Sequence, residues 1–224
     1  MRIVAIRPEP GLSATIAAGR AEGLSIEGWP LFEIRAREWA PPSPDEIDAV
    51  LLGSANAFRH GGSAVALFAG KPVYAVGETT AEAAREAGFA IAATGEGGLQ
   101  NLLDGLAGEN LRLLRLAGAE RVPLDPPAGI ELVTRIVYES AALPMPVELE
   151  AVLREGALVL AHSAVAVRHL AEQCDRRGVS RGGIAIAALS PRIAAEAGSG
   201  WARLAATVNP RETALLALAR DMCH

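Results

Sequence analysis

Ala49-Val-Leu-Leu-Gly-Ser54-Ala-Asn-Ala57 and Ala157-Leu-Val-Leu-Ala-His-Ser163-Ala-Val-Ala166 carry one pattern twice. Each is a short, unbroken apolar run, then a serine, then alanine-rich residues. An apolar run without polar alternation reads as a strand covered on both faces, the habit of parallel sheets. The recurrence continues in order along the chain. Val73-Tyr-Ala-Val-Gly77-Glu-Thr-Thr-Ala81 answers to Ile186-Ala-Ala-Leu-Ser190-Pro-Arg-Ile-Ala194, and Leu102-Leu103 to Leu215-Leu216. The offsets of 109, 113 and 113 residues stay close to one register, which indicates a duplication.

The same alternation extends outward from these segments. Strands are expected at 3–6, 26–29, 49–52, 73–76, 89–92, 111–116, 157–161, 184–189 and 204–207. Helical spacing of apolar residues lies between most of them, for example at 79–87, 99–106, 165–173 and 212–221. This predicts an α/β fold. Two stretches break the rhythm. Residues 31–39 read as extended and run into Ala40-Pro-Pro-Ser-Pro44, and residues 131–141 read as extended and run into Leu143-Pro-Met-Pro146. Proline clusters after extended segments are what linkers look like. The expected organisation is a discontinuous domain of residues 1–36 and 143–224. An inserted domain of residues 44–131 would be joined to it by hinge segments 37–43 and 132–142.

Composition bounds the function. Half of the 224 residues are apolar, so a sizeable core can form and disorder is excluded. Aromatics make up only 4%, too few for platforms on which bases or flavin rings stack. The net charge of −5 comes without a basic stripe, so neither nucleic acid nor an anionic membrane is expected as a partner. The N-terminal apolar run is ended by Arg7 and Pro8, no span-length apolar segment follows, and a cytoplasmic location is expected. Cys174 and Cys223 lack metal-ligand spacing, and His60, His162, His169 and His224 show no pairing that suggests a metal. Trp29, Trp39 and Trp201 are scattered as packing residues are.

Ser54, Gly77 with Thr79 and Thr80, Ser163 and Ser190 each close a strand and open a helix. A small polar residue there makes a good N-cap, and that role alone can account for it. Their arrangement allows a second role. Ligands of open α/β sheets bind beyond the carboxyl ends of the strands, where helix N-termini present free N–H groups. Two such lobes facing across a hinge would suit a small, multiply carboxylated ligand. An acidic protein must recognise such a ligand locally, through N–H groups and a few arginines. Arg7 follows the first strand, Arg115 lies in an apolar strand and Arg192 follows Ser190; surface solvation is the alternative for all three. His162-Ser163 is no hydrolase dyad, since neighbouring side chains on a strand diverge. Neither a phosphate loop nor a dinucleotide fingerprint is present. Tyr138, one of two tyrosines, lies in the expected hinge strand. A phenol is protonated at neutral pH and can deliver a proton to a leaving hydroxyl, and a packing role is the alternative. Tyr74 sits in an apolar strand.

These segments together resemble the uroporphyrinogen-III synthase family. The resemblance rests on Arg7-Pro8, Leu51-Leu-Gly-Ser54-Ala55-Asn-Ala57, residues 73–81, Leu114-Arg115-Leu-Ala-Gly118, Ile136-Val-Tyr138-Glu139, Leu160-Ala-His-Ser163-Ala164-Val165, Ala188-Leu-Ser190, and Pro210 ahead of Ala214-Leu-Leu-Ala-Leu218. It implies two flavodoxin-like parallel-sheet lobes, one inserted in the other, joined by a two-stranded β hinge. It implies a lyase of tetrapyrrole (haem) biosynthesis that cyclises hydroxymethylbilane to uroporphyrinogen III, with loss of water and inversion of ring D. No cofactor and no metal are implied. The expected partners are the substrate and, by hand-over, the upstream deaminase, and the expected state is a monomer. By the same resemblance Tyr138 is implicated in hydroxyl departure, and Ser54, Thr80, Ser163 and Ser190 line the carboxylate-binding cleft. Two departures stand out. Ile193 holds the place that Thr80 has in the other half. The segment Ala117-Gly-Ala-Glu-Arg121-Val-Pro-Leu-Asp-Pro-Pro127 leaves room for a shortened helix at best, which puts a role for Arg121 in doubt. The competing readings are a non-catalytic two-lobed binder of a small polycarboxylate and a flavodoxin-like redox protein.

Overall fold

Three apolar runs, Ala49–Leu52, Ala157–Ala161 and Ala185–Ala188, are strands in which every residue is buried. With no face to offer solvent, each must be covered above and below, which crossover helices between parallel strands accomplish. The computed structural model describes residues 1–223, so His224 lies outside the described residues. Its elements run β1 (Arg2–Ala5), α1 (Gly11–Ala21), β2 (Ile26–Gly28), β3 (Phe32–Ala36), β4 (Ala49–Leu52), α2 (Asn56–His60), β5 (Val73–Val76), α3 (Glu78–Glu86), β6 (Ile91–Gly95), α4 (Leu99–Asp104) and β7 (Leu111–Gly118). They continue with β8 (Ile130–Ala142), α5 (Val147–Glu155), β9 (Ala157–Ala161), α6 (Ala164–Arg177), β10 (Ala185–Ala188), α7 (Pro191–Glu196), β11 (Arg203–Ala206) and α8 (Glu212–Cys223). The result is a mixed α/β fold with parallel sheets.

Contacts divide the chain into two units, Met1–Glu33 with Ala141–His224, and Ile34–Ser140. The chain passes from one to the other within β3 and returns within β8.

The first unit holds a five-stranded sheet in the order β11-β10-β9-β1-β2, with every neighbouring pair parallel. From β1 the chain winds outward to β2. On its return it winds the other way, from β9 to β10 and β11, so the order reverses between β1 and β9. One face packs Val4, Val159, Leu170 and Ile186 into a core, and the other packs Ile3, Leu158, Leu160 and Leu215. Trp29 and Trp201 pack against the first of these cores. Local signals set the helix limits. Ser163 Oγ accepts the Ala166 N–H at 3.1 Å to open α6, and Gly178 closes it in the left-handed conformation (φ 61°). Ser190 and Pro191 open α7 in the same way. Each such cap is worth about 1 kcal/mol. A buried leucine contributes about 1.5–3 kcal/mol, so the cores outweigh the caps.

The second unit holds a six-stranded sheet in the order β3-β8-β7-β4-β5-β6. The pairs from β8 to β6 are parallel. Here the order reverses between β4 and β7. Val50, Leu52, Phe68, Leu116 and Val137 fill one face, and Leu51, Leu103, Leu113 and Ile130 the other. Trp39 packs on the first of these, stacked near Phe68, while its indole N–H donates to the Gly61 carbonyl at 2.8 Å.

Between β7 and β8, where the prolines leave room for a shortened helix at best, no helix forms, and residues 119–129 make an irregular connection. Pro123, Pro126 and Pro127 supply the reason: proline offers no N–H and drives the preceding residue out of the helical region. Among the described residues no helix is long and apolar enough to cross a membrane, and no group of His, Cys, Asp or Glu is arranged to hold a metal ion.

Candidate functional site

The irregular connection after β7 leaves space beside the sheet of the second unit. A cavity of about 390 Å³ opens there, at the carboxyl ends of β4 and β7. Those are the strands between which the order reverses, the place where open α/β sheets bind ligands. Gly53 and Ser54 line it from the end of β4, and Arg115 to Gly118 from the end of β7. Leu99 and Gln100 line it from α4, and Arg121, Val122 and Leu124 from the proline-rich connection.

Arg115 is the unusual member of this wall. It is only 5% exposed, although it carries a guanidinium. Nη2 donates to the Val122 carbonyl at 2.9 Å, and Nε is buried with no partner among the described residues. Burial pushes the guanidinium down from its ordinary value, neighbouring Arg121 pushes it the same way, and Tyr138 acts in the opposite sense. Among the described residues no carboxylate lies within ion-pair distance of it.

Tyr138 reaches the cavity through an irregularity of strand pairing. Ala117 pairs with Ile136, but Gly118 pairs with Tyr138, so β8 bulges at Val137. A bulge re-aims the side chains that follow it. Val137 is fully buried in the core and Tyr138 lines the cavity. The close approach needs a glycine opposite: a Cβ at Gly118 would stand 2.7 Å from Tyr138 Cε2. His60 lies nearby, with ring centroids 6.4 Å apart. Burial, then the charge of Arg59, lowers the His60 pKa, so its imidazole is neutral at neutral pH. Among the described residues the Tyr138 hydroxyl has no hydrogen-bond partner and is free to meet a ligand.

In the first unit the order reverses between β1 and β9, and there the ends of the strands carry a polar cluster. Arg7 follows β1, His162 follows β9, Thr15 lies in α1 and Glu212 opens α8. Thr15 is fully buried and its hydroxyl donates to Glu212 Oε1 at 2.7 Å. His162 Nε2 stands 3.1 and 3.2 Å from the two carboxylate oxygens. A carboxylate only accepts, so Nε2 carries the proton. Arg7 Nη1 approaches Glu212 Oε2 at 3.4 Å and Thr15 Oγ1 at 3.3 Å. Burial acts to raise the Glu212 pKa, but hydrogen bonds from His162 and Thr15 and the charges of His162 and Arg7 outweigh it and hold the carboxyl below its ordinary range. Gly11, at the start of α1, leaves room for the Arg7 guanidinium, which a methyl group would overlap.

The cavity therefore brings together Ser54, Arg115, Gly118 and Tyr138 of the residues singled out from sequence. Ala55 is buried at the start of α2. Ser54 Oγ accepts the Asn56 N–H at 3.2 Å. Gly77, with φ 78°, caps α3 and its N–H donates to the Gly95 carbonyl. Thr79 is exposed, whereas Thr80 is 5% exposed and faces the core with Ala83 and Ala84. Ile193, its counterpart in the other half, is 4% exposed, so both places are core positions of their helices. In the first unit Arg7 joins the polar cluster, Ser163 and Ser190 serve as caps, Ala164 is half-buried and Arg192 is exposed. Arg121, discounted for its prolines, lines the cavity and donates to the Ala119 carbonyl at 3.2 Å. Thr15 and Glu212 carry no signal in sequence beyond Glu212 standing at a helix start.

Against known proteins, a family model described as uroporphyrinogen-III synthase HemD matches residues 13–217. No curated protein sequence is matched. Among solved structures, uroporphyrinogen-III synthetase from Helicobacter pylori 26695 is similar with a TM-score of 0.65 at 16% identity, over 99% of this chain and 100% of that one. A mutant uroporphyrinogen III synthase from the extremely thermophilic bacterium Thermus thermophilus is similar with a TM-score of 0.52 at 19% identity, over 100% of this chain and 99% of that one. At such identities the likeness is one of fold.

Proposed function

Because the chain belongs to the uroporphyrinogen-III synthase family, we propose that it is a hydro-lyase that cyclises hydroxymethylbilane to uroporphyrinogen III with inversion of ring D. The observation that carries the chemistry is Tyr138, whose phenol has no partner among the described residues and lines the cavity that also holds Arg115. In this reading electrons of a pyrrole nitrogen expel the terminal hydroxyl while the Tyr138 O–H gives it a proton, and water departs. A spiro intermediate then lets ring D turn before the macrocycle closes. Protein side chains supply the proton and hold the flexible octacarboxylate in the conformation that favours the spiro route, which is mainly positional control. His60, neutral beside Tyr138, adds no competing charge.

The two units are proposed as flavodoxin-like lobes joined by a two-stranded β hinge at residues 37–43 and 132–142. Ser54, Ala55, Gly77, Thr79, Gly118, Ser163, Ala164, Ser190, Arg7, Arg115 and Arg192 are the proposed substrate-facing set. Thr80, expected among them from the sequence, is left to the helix core, since its side chain is buried. The enzyme works without metal or cofactor, as a cytoplasmic monomer, on substrate handed over by the upstream deaminase. The test is to add purified protein to hydroxymethylbilane and follow its disappearance. Acceleration over the spontaneous rate supports the reading, and an unchanged rate overturns it.

A further inference from the structure

We propose that the cavity between the ends of β4 and β7 seats one pyrrole ring of the polycarboxylated substrate, with a carboxylate arm of that ring paired to Arg115. This deepens the proposed function and rests on it for the identity of the ring. Three observations on the chain itself lead to it.

The first is electrostatic. Arg115 is only 5% exposed, and among the described residues its Nε has no partner and the one bond it makes is to a neutral carbonyl of Val122. A buried cation without a counter-charge is costly, and an anion with matched geometry removes most of that cost. The guanidinium fork donates two parallel hydrogen bonds to a carboxylate, which a point charge could not direct as well.

The second is size and lining. About 390 Å³ lies at the lower end of the roughly 300–1,000 Å³ typical of small-molecule sites. A single five-membered ring with its acid arms suits a site at that end of the range. Val76, Leu99, Leu116 and Leu124 offer apolar walls to a ring, while Arg115 and Arg121 outnumber the single acid, Glu120.

The third is internal comparison. Both sheets reverse their order beside an arginine. At the reversal in the first unit Arg7 already has a carboxylate, that of Glu212, held by Thr15 and His162. At the reversal in the second unit the arginine, Arg115, sits within β7 rather than after the strand, and among the described residues no carboxylate pairs with it.

The probe is a monopyrrole bearing one acetate and one propionate arm, titrated into the full-length protein by calorimetry. Binding is expected to weaken on the order of 10- to 100-fold in Arg115→Met, the loss that follows removal of a charge-assisted hydrogen bond, and to be partly retained in Arg115→Lys. The same pyrrole with both acids converted to amides is expected not to bind. A measurement on the unaltered protein guards against a variant that fails to fold: the Arg115 Nε–H resonance should shift as the diacid is added and stay fixed with the diamide. Equal binding by Arg115→Met, equal binding of the diamide, or an unmoved resonance overturns the proposal. Hydroxymethylbilane turnover in the same preparations separates the two claims. Turnover to the inverted isomer with Arg115-independent pyrrole binding removes the subsite alone. Arg115-dependent binding without turnover leaves a carboxylate site and removes the proposed reaction.

Discussion

Gly118 and Tyr138 face each other across β7 and β8 so closely that a Cβ on the glycine would stand 2.7 Å from Cε2 and 2.8 Å from Cζ of the ring. The pairing exists because β8 bulges at Val137, which sends Val137 into the core and Tyr138 to the cavity. Gly118→Ala is therefore expected to push the ring off its position. Overpacking of this kind costs about 1–3 kcal/mol, so the variant should fold with a lowered melting temperature. Turnover should fall while circular dichroism stays native. Native turnover in Gly118→Ala would show that the ring position does not matter.

Tyr138→Phe removes the proton donor and keeps the ring. The variant should lose about 10²-fold in kcat, the usual scale of general-acid catalysis, with KM changed by only a few-fold. Steady-state kinetics decides the matter. A fall confined to KM would make Tyr138 a binding residue.

Glu212 links the cluster in the first unit to pH. Its carboxyl is held below the ordinary range, against the effect of burial, by His162, Thr15 and Arg7. A depressed folded-state value means that the ionised group stabilises the fold above the unfolded-state value, and that this contribution is lost as pH falls through the folded-state value. Glu212→Gln should thus be less stable than the parent at pH 7, and the gap should close on acidification below about pH 4, near the model-peptide value for glutamate. Urea unfolding at both pH values measures it. A gap that persists or widens in acid would contradict the assignment.

Cys174 is fully buried, and burial pushes its thiol up to about 11. Since the thiolate is the nucleophile, iodoacetamide at pH 8 should leave Cys174 unmodified in the native protein and label it after unfolding. Cys223 is half-buried and should react first. Mass spectrometry of native and unfolded samples checks the order, and early labelling of Cys174 would contradict its burial.

What the sequence reveals and what it hides follow from range. Runs such as Ala157–Ala161 announce buried strands because nothing polar interrupts them, and Ser163 and Ser190 announce helix starts because capping is local. The two extended segments are likewise visible, as β3 and β8. Thr80 is also readable: it shares a face with Ala83 and Ala84 at helical spacing, which marks the core side, whereas Thr79 lies on the exposed side. The cluster in the first unit is not readable. Thr15 and Glu212 stand 197 positions apart, and no local pattern pairs them. The same holds for the cavity. Strand alternation places Arg115 on one face of β7, but only the missing crossover helix makes that face a hollow, and the bulge that turns Tyr138 toward it leaves no trace in residue spacing.

The most direct test is the isomer composition of the product formed from hydroxymethylbilane by the purified protein with no added metal or cofactor. Uroporphyrinogen III as the dominant product, formed faster than spontaneous closure, is the predicted result. Type I product alone, at the spontaneous rate, would contradict it.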